Sequence, residues 1–403
     1  MIGPGAPARP APSTPAAPGS SQPAGPDSSS PADPSSRPPA AVGPWPVLRG
    51  WPRSREHALL ELDTAGGSRG AQWFARRADL QAAAADIPGA QVHGAVLLHP
   101  QGTDHRLPAM AARIEAGEQI VVHRPGRRAV LRGSGPGAPF TKVTRKRRAA
   151  SAVQRHRAVA EVLGPSARLA QILDAGSDWF SLSALPGRTL LDLGTDQHVP
   201  AHLLATGWAA LGSALAHLHT TGGQPPAGIE ADHDARAEQA TTMRWLDPVL
   251  HWQLLPDVDR PGIEDLLSPL TRQSPGQLGL LHRDLHDQQV LFDVDNDAGQ
   301  VGLLDLDAAA WGEAALDVAN VLTHLELRVR QQLLSVHRAA IAEQAFLTGL
   351  EPSATTMARV PAYRTAARLR LCAVYALRPR WRSLATRWFT EVHYWGAAPA
   401  SQW

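Results

Sequence analysis

Two short segments of this sequence set ionisable side chains between apolar runs. The first reads Leu280-Leu281-His282-Arg283-Asp284-Leu285-His286-Asp287-Gln288-Gln289-Val290-Leu291-Phe292-Asp293, the second Val301-Gly302-Leu303-Leu304-Asp305-Leu306-Asp307. A loop of this kind, held between two short strands, presents a carboxylate such as Asp284 to take a proton from a hydroxyl. A strand ending in Asp305 and Asp307 presents hard oxygen ligands to a cation such as magnesium. The two strands are close enough in sequence to form a hairpin, which brings Asp284 and Asp305 to the same end. Phosphoryl transfer needs both parts, a group that orients and deprotonates the attacking hydroxyl and a metal that neutralises the phosphates. The same residues also fit a second chemistry. His282-x-Asp284-x-His286 with Asp305 and Asp307 holds enough nitrogen and oxygen ligands for zinc or a metal pair, and so for metal-dependent hydrolysis. His286 and Asp287 read equally as substrate or metal contacts and as braces of the loop. Asp307 reads as a second metal ligand or as a turn residue at the strand end.

The elements that must position these groups are visible in the residue pattern. Gln119–His123 and Ala129–Arg132 read as strands joined by the turn Arg124-Pro125-Gly126-Arg127, with Phe140–Thr144 as a third strand. A helix is predicted from Ala149 to Leu163, stopped by Gly164-Pro165. Leu211, Leu215 and Leu218 stand at helical spacing between Trp208 and His219 and predict a buried helix. From about Leu322 onward Leu, Ala and Arg dominate, so the last part of the chain is expected to be helical. Upstream, between Trp51 and about Leu107, runs such as Ala58–Leu62 and Ala95–Leu98 separated by glycine-rich turns suggest a small extra β module. Residues 1–46, mostly Pro, Ala, Ser and Gly, bury too little apolar surface to offset chain entropy and read as a disordered tail.

Composition narrows the class further. At 403 residues, 43% hydrophobic and 19% charged, the chain has the profile of a globular protein of two packed lobes. Its formal net charge of +2 implies no general polyanion surface. The run Arg145-Lys146-Arg147-Arg148 lacks interleaved aromatics and reads as the solvated start of a helix, so no nucleic-acid partner is expected. Cys372 is the only cysteine, which excludes an internal disulfide and a cysteine-based zinc site. Residues 1–20 contain no signal-peptide core, and no segment is apolar enough to span a membrane, so a cytoplasmic protein is expected. Trp381, Trp388, Trp395 and Trp403 read as core residues near a helical carboxyl terminus.

From about Ile120 to Trp388 the sequence resembles the aminoglycoside phosphotransferase and choline kinase-like family. The family signature is His-x-Asp, an Asn after it, and then a strand ending in a metal-binding Asp. The resemblance implies an α+β, two-lobed protein-kinase-like fold, with a β-rich N-lobe over 47–183 that includes the module, a mostly helical C-lobe over 184–403, and ATP between them. It implies Asp284 as catalytic base, His282 as the brace of the loop and Asp305 as magnesium ligand. Gln289 stands at the family's Asn position, keeping an amide oxygen for nucleotide and metal but one methylene further out. Trp311-Gly312-Glu313-Ala314-Ala315-Leu316-Asp317-Val318-Ala319 is similar to the family's Gly-Asp-Pro-x-x-Asp-Leu-Ala, which makes Asp317 structural; locally it also reads as a helix N-cap.

By the same resemblance Lys142 holds the α and β phosphates, Glu161 is its ion-pair partner, and Leu185-Pro186-Gly187-Arg188-Thr189-Leu190 is the hinge whose backbone meets adenine. Ser183-Ala184 replaces the Glu common in family hinges. The turn His123–Arg128, rather than the cluster Gly133–Gly137, is in the place of the phosphate-covering loop. The implied activity is transfer of the γ-phosphate of ATP to a hydroxyl of a small molecule. The changes at Gln289 and in the hinge raise the alternative of a nucleotide-binding pseudokinase. A eukaryotic-type protein kinase is disfavoured, because Asp305-Leu306-Asp307 replaces Asp-Phe-Gly and no Ala-Pro-Glu follows. In the family the late helices shape the acceptor pocket. Here they carry Arg359, Arg364, Arg368, Arg370, Arg378, Arg380, Arg382 and Arg387, which argues against a polycationic antibiotic and for a neutral or anionic hydroxyl metabolite.

Overall fold

The computed structural model describes residues 36–220, 223–229, 232–295 and 299–395. The chain opens with strands β1 (Ala41–Val42), β2 (Trp45–Ser54), β3 (His57–Thr64) and β4 (Gly67–Phe74), helix α1 (Arg77–Asp86), and strands β5 (Gln91–His93) and β6 (Val96–Leu98). These six strands form one antiparallel sheet in the order β1-β2-β3-β4-β6-β5. Pairing begins at Ala41, inside the stretch read as tail, because Val42 and Val47 bury their side chains. Residues 1–35 lie outside the described residues. One face of the sheet packs Phe74 and Leu97 on Leu80 and Ile87 of the α1 region. The other face, with Leu60, Leu62, Trp73 and Leu98, is continuous with the core of the helical region.

After helix α2 (Ala109–Glu115) come β7 (Gln119–Arg124), β8 (Arg128–Arg132), β9 (Phe140–Thr144) and helix α3 (Ala149–Leu163), then β10 (Arg168–Leu169), β11 (Ile172–Ala175) and β12 (Trp179–Leu182). A five-stranded antiparallel sheet, ordered β11-β12-β9-β8-β7, is the N-lobe proper. Alternation decides its faces: Ala129, Leu131 and Val143 point into one core, while Lys142 points to the other side. Helix α3 ends where Gly164 takes φ +48°, a conformation that glycine adopts without penalty.

The C-lobe contains β13 (Arg188–Thr189), α4 (Leu190–Thr195), α5 (Ala201–His219), β14 (Asp232–His233), α6 (Ala235–His251), α7 (Arg260–Arg272), β15 (Leu278–Leu281), β16 (Val290–Phe292), β17 (Val301–Leu303), β18 (Ala310–Glu313), α8 (Ala315–Arg330), α9 (Val336–Leu350), α10 (Ala354–Ala376) and α11 (Arg382–Trp395). Strands β16 and β17 pair as the expected hairpin, whereas β15 pairs with β18. The segment 282–289 is therefore held between two different small sheets. Helices α5 and α9 approach closely because glycines face each other's backbone: a Cβ on Gly349 would lie 2.1 Å from the Ala209 carbonyl oxygen. Among the described residues no helix is long and apolar enough to cross a membrane.

Several late-helix arginines are structural rather than exposed to a cleft. Arg359 grips Glu313 at 2.7 and 2.9 Å, and the Tyr363 hydroxyl joins the same carboxylate. Arg364 and Arg368 both donate to Glu326, which also accepts from the Trp388 indole. Their charge is thus matched inside the helical core, which corrects the expectation that they shape an acceptor pocket. Trp388 is buried, as expected of a core residue, while the side chains of Trp395 and Trp403 lie outside the described residues.

Candidate functional site

The loop between β15 and β16 is fastened from below by a single carboxylate. Asp317, fully buried in the first turn of α8, accepts the backbone N–H groups of His282 at 2.8 Å and Arg283 at 2.7 Å, with the His219 ring at 3.3 Å. The N-cap position of α8 is Ala314, so Asp317 ties loop to helix instead of capping the helix. The buried His282 ring donates through Nε2 to the Leu304 carbonyl oxygen at 2.8 Å, linking the loop to the chain just before Asp305. Gln289 repeats that link, since its carbonyl accepts the Leu304 N–H at 2.9 Å. Arg283 sits at φ +68°, a strained conformation for a non-glycine residue, held by these bonds and by Asn320, which donates to its carbonyl at 2.7 Å. The turn leaves the Asp284 side chain exposed at the cleft.

Further along the loop, Asp287 is buried and receives a bidentate pair of hydrogen bonds from Arg328 of α8, at 2.7 and 2.8 Å. Burial opposes the Asp287 charge, but Arg328 outweighs it and holds this carboxyl far below the usual range. His286 stacks on His324 with ring centroids 4.6 Å apart. His286, Asp287 and His324 bring ligating atoms within 4.8 Å of one another, yet Asp287 is already neutralised by Arg328. Among the described residues His282, Asp284 and His286 do not bring ligating atoms together as a metal cluster.

Across the cleft, Lys142 of β9 donates to Asp305 and to Asp307, both at 2.8 Å. Burial works against the Lys142 ammonium, but the two carboxylates outweigh it and raise its pKa. Asp305 in turn is held well below the ordinary carboxylate range: burial opposes its charge, and Lys142 then Arg128 more than compensate. Arg128 lies 3.2 Å from Asp307 and 3.5 Å from Asp305. Asp305 adopts φ +57°, a left-handed conformation at the exit of β17 that points its carboxylate at Lys142. Lys146, the other lysine of this stretch, is exposed.

Glu161 does not reach Lys142. It is exposed on α3, and Arg155 takes the inward position, donating to the Asp307 carbonyl oxygen at 2.6 Å. Six residues separate the two, about 240° around a helix of 3.6 residues per turn, so they occupy different faces. Leu185 lies away from these charges, packed near Gly302 of β17 and the start of α3. Gln289 faces the cleft with Asp284, Asp305 and Asp307, its amide nitrogen 3.5 Å from the His286 ring.

Arg128, Arg155, Arg328 and Asp104 were not singled out by the sequence. Asp104 is buried and caps the β7–β8 turn, accepting the Gly126 N–H at 2.6 Å and lying 2.9 Å from His123. His99 follows in the same polar chain, against His123 on one side and 2.7 Å from the Gln72 amide on the other. Burial lowers the His99 pKa from 6.5 to about 4. Since the unfolded chain then binds the extra proton, the contribution of neutral His99 to stability is complete above pH 6.5 and falls away toward pH 4. Chemical denaturation should therefore show a midpoint that drops between pH 7 and pH 4.5, and a His99→Gln variant should lose about 1–3 kcal/mol of that pH dependence.

The cleft shared by these groups has a volume of about 860 Å³. Its carboxylates are Glu238, Asp284, Asp305 and Asp307, and arginines outnumber them. Arg145 and Arg148, read as part of a solvated run, also line it, as do Arg49 and Trp51 from the amino-terminal sheet. Of the late-helix arginines, Arg370 and Arg378 reach it.

A sequence profile described as the phosphotransferase enzyme family matches residues 116–385. No curated protein matches. Among solved structures, the chain is similar to the amicoumacin kinase hAmiN in complex with AMP-PNP, Ca2+ and Ami, at 12% identity over 72% of this chain and 95% of that one, with a TM-score of 0.51. It is also similar to aminoglycoside phosphotransferase APH(4)-Ia, at 18% identity over 70% and 94% of the two chains and a TM-score of 0.47. The aminoglycoside phosphotransferase APH(3'')-Id from Streptomyces rimosus ATCC10970 gives 19% identity, 66% and 94% coverage and a TM-score of 0.46.

Proposed function

The chain belongs to the phosphotransferase enzyme family, and from that premise we propose that it transfers the γ-phosphate of ATP to a hydroxyl of a small molecule, with Asp284 as the base. The observation that carries this reading is the convergence of Asp305 and Asp307 on the Lys142 ammonium, in one cleft with Asp284. Magnesium fits the donor set. Two hard carboxylate oxygens already converge on a cation, and the Gln289 amide faces the same space. Asp305 and Asp307, with Gln289, would hold the metal, which supplies charge neutralisation on the phosphates.

The chain's own residues do the rest. Lys142 and Arg128 are free to exchange carboxylate partners for phosphate oxygens, since both remain cations whichever anion they meet. Asp284 accepts the acceptor's hydroxyl proton as the acceptor oxygen bonds to the γ-phosphorus and the β–γ bridge breaks. His282 and Asp317 keep the loop carrying Asp284 at fixed height relative to Asp305. Positioning and electrostatics of this kind account for most of the catalysis in phosphoryl transfer.

Titration calorimetry with a non-hydrolysable ATP analogue tests the reading directly. Binding should require magnesium, and Asp305→Ala should remove that requirement along with most of the affinity. Absence of nucleotide binding would sink it. Binding of ATP without transfer to any hydroxyl compound would instead mark a pseudokinase.

A further inference from the structure

Four arginines of the cleft have a carboxylate to answer them. Arg128 meets Asp305 and Asp307, Arg328 meets Asp287, Arg49 meets Glu61, and Arg370 lies 3.4 Å from Glu238. Arg124 and Arg378 have no carboxylate partner among the described residues, and the Nε of each is buried without an acceptor. Each guanidinium lies over an aromatic ring, Arg124 at 5.2 Å from Trp51 and Arg378 at 4.2 Å from Tyr375, and Arg49 also sits 5.3 Å from Trp51. The grouping has a backbone cause. Gly50 of β2 donates to the Leu377 carbonyl oxygen at 2.8 Å, which brings its neighbours Arg49 and Trp51 beside Arg378. Like charges accumulate there, and burial followed by Arg128 and Arg127 pulls the Arg124 pKa down, while burial, with Arg49 and Arg328 adding to it, lowers that of Arg378.

Half-buried cations without a carboxylate partner favour an anion beside them. Aromatic rings hold the guanidinium planes but supply no countercharge of their own. Arg378 follows α10 in the helical lobe, whereas Lys142 and Arg128, the cations nearest Asp305, come from the N-lobe sheet. The excess of positive charge therefore extends beyond the groups expected to meet ATP.

We propose that the acceptor is itself an anion, a hydroxylated small molecule bearing a carboxylate or phosphate that Arg124 and Arg378 grip beside Trp51, with its free hydroxyl turned to Asp284. This rests on the phosphotransferase reading for the hydroxyl but not for the oxyanion site. A planar guanidinium pair suits the paired oxygens of either oxyanion. A polycationic acceptor meets repulsion at the same place. The amino-terminal sheet thereby contributes a wall of the acceptor site through Trp51 and Arg49.

The test uses the full chain saturated with magnesium and a non-hydrolysable ATP analogue, titrated with sorbitol against gluconate and with glycerol against glycerol 3-phosphate. The charged member of at least one pair should bind saturably, about tenfold or more tighter than its neutral partner, and should weaken as salt rises. Which pair responds identifies the oxyanion. Arg378→Gln should lose about tenfold of that affinity and Arg378→Lys less, with nucleotide affinity within about twofold of the parent in both. Equal binding of charged and neutral members, binding of neither, or full affinity in Arg378→Gln overturns the proposal. Should Arg378→Gln unfold, the charged-versus-neutral comparison and its salt dependence on the unaltered chain decide alone. If gluconate or glycerol 3-phosphate binds but the ATP analogue does not, the oxyanion site stands and the phosphotransferase reading fails.

Discussion

Asp284→Asn should lower the rate of phosphoryl transfer by about 10²–10⁴-fold, the range supplied by a positioned general base. Nucleotide affinity should hardly change, because Asp284 is exposed at the cleft and the cations proposed to meet phosphate are gathered by Asp305 and Asp307. Thermal stability should stay within about 0.5 kcal/mol, as for other exposed substitutions away from buried networks. The loop's shape comes from Asp317, His282 and Asn320, none of which touches the Asp284 carboxylate. Single-turnover kinetics with a phosphorylatable acceptor separates the step from binding. Unchanged transfer in Asp284→Asn would remove this residue from the mechanism. Asp305→Ala makes a useful contrast, since it deletes a proposed metal ligand and also leaves the Lys142 ammonium with Asp307 as its remaining carboxylate contact.

The largest stability effect is expected at the buried pair Asp287–Arg328. Removing either partner leaves the other charge uncompensated in the interior, a loss of about 3–5 kcal/mol in comparable pairs. Arg328→Met should thus shift the denaturant midpoint strongly, and Asp287→Leu similarly. Combining the two should recover most of the loss, because an apolar pair of similar volume needs no countercharge. Additive losses in the double variant would show that the pair is not the source of the effect. Arg328 also donates to Gln331 at 2.8 Å and to the Tyr375 hydroxyl at 3.3 Å, so recovery is expected to be incomplete.

Much of the N-lobe was legible because local pattern and tertiary role agree there. β7, β8 and β9 lie where alternation and turn residues put them, and α3 runs from Ala149 to Leu163 as its stop signal required. The β16–β17 hairpin follows from two short apolar runs close together in sequence. Helix phase was harder to read. Glu161 and Arg155 are both polar residues on a helix with arginines on several sides, and only packing decides that Arg155 turns inward. The late arginines misled for a related reason: one sequence shows that Arg364 and Arg368 are charged, but not that Glu326, some forty residues earlier, waits for them inside the core. Asp104 carried no motif at all. Its role at Gly126 arises from a contact between segments that share no periodicity.

The amino-terminal sheet has one more consequence. The chain passes between the lobes through the segment that follows β12, but the sheet also touches both sides. Gly50 bonds to Leu377, the Trp252 indole donates to the Arg55 carbonyl at 2.6 Å, and Trp73 packs edge-on against Trp252 at 5.5 Å. On the other side Gly70 lies against Pro125 and His123, so closely that a Cβ there would come within 2.5 Å of the proline ring. Two lobes joined by one strip of chain can tilt and twist in any direction about it. Two lobes fastened at a second place keep only the line between the fastenings as an axle, so opening and closing become the swing of a gate with top and bottom pins.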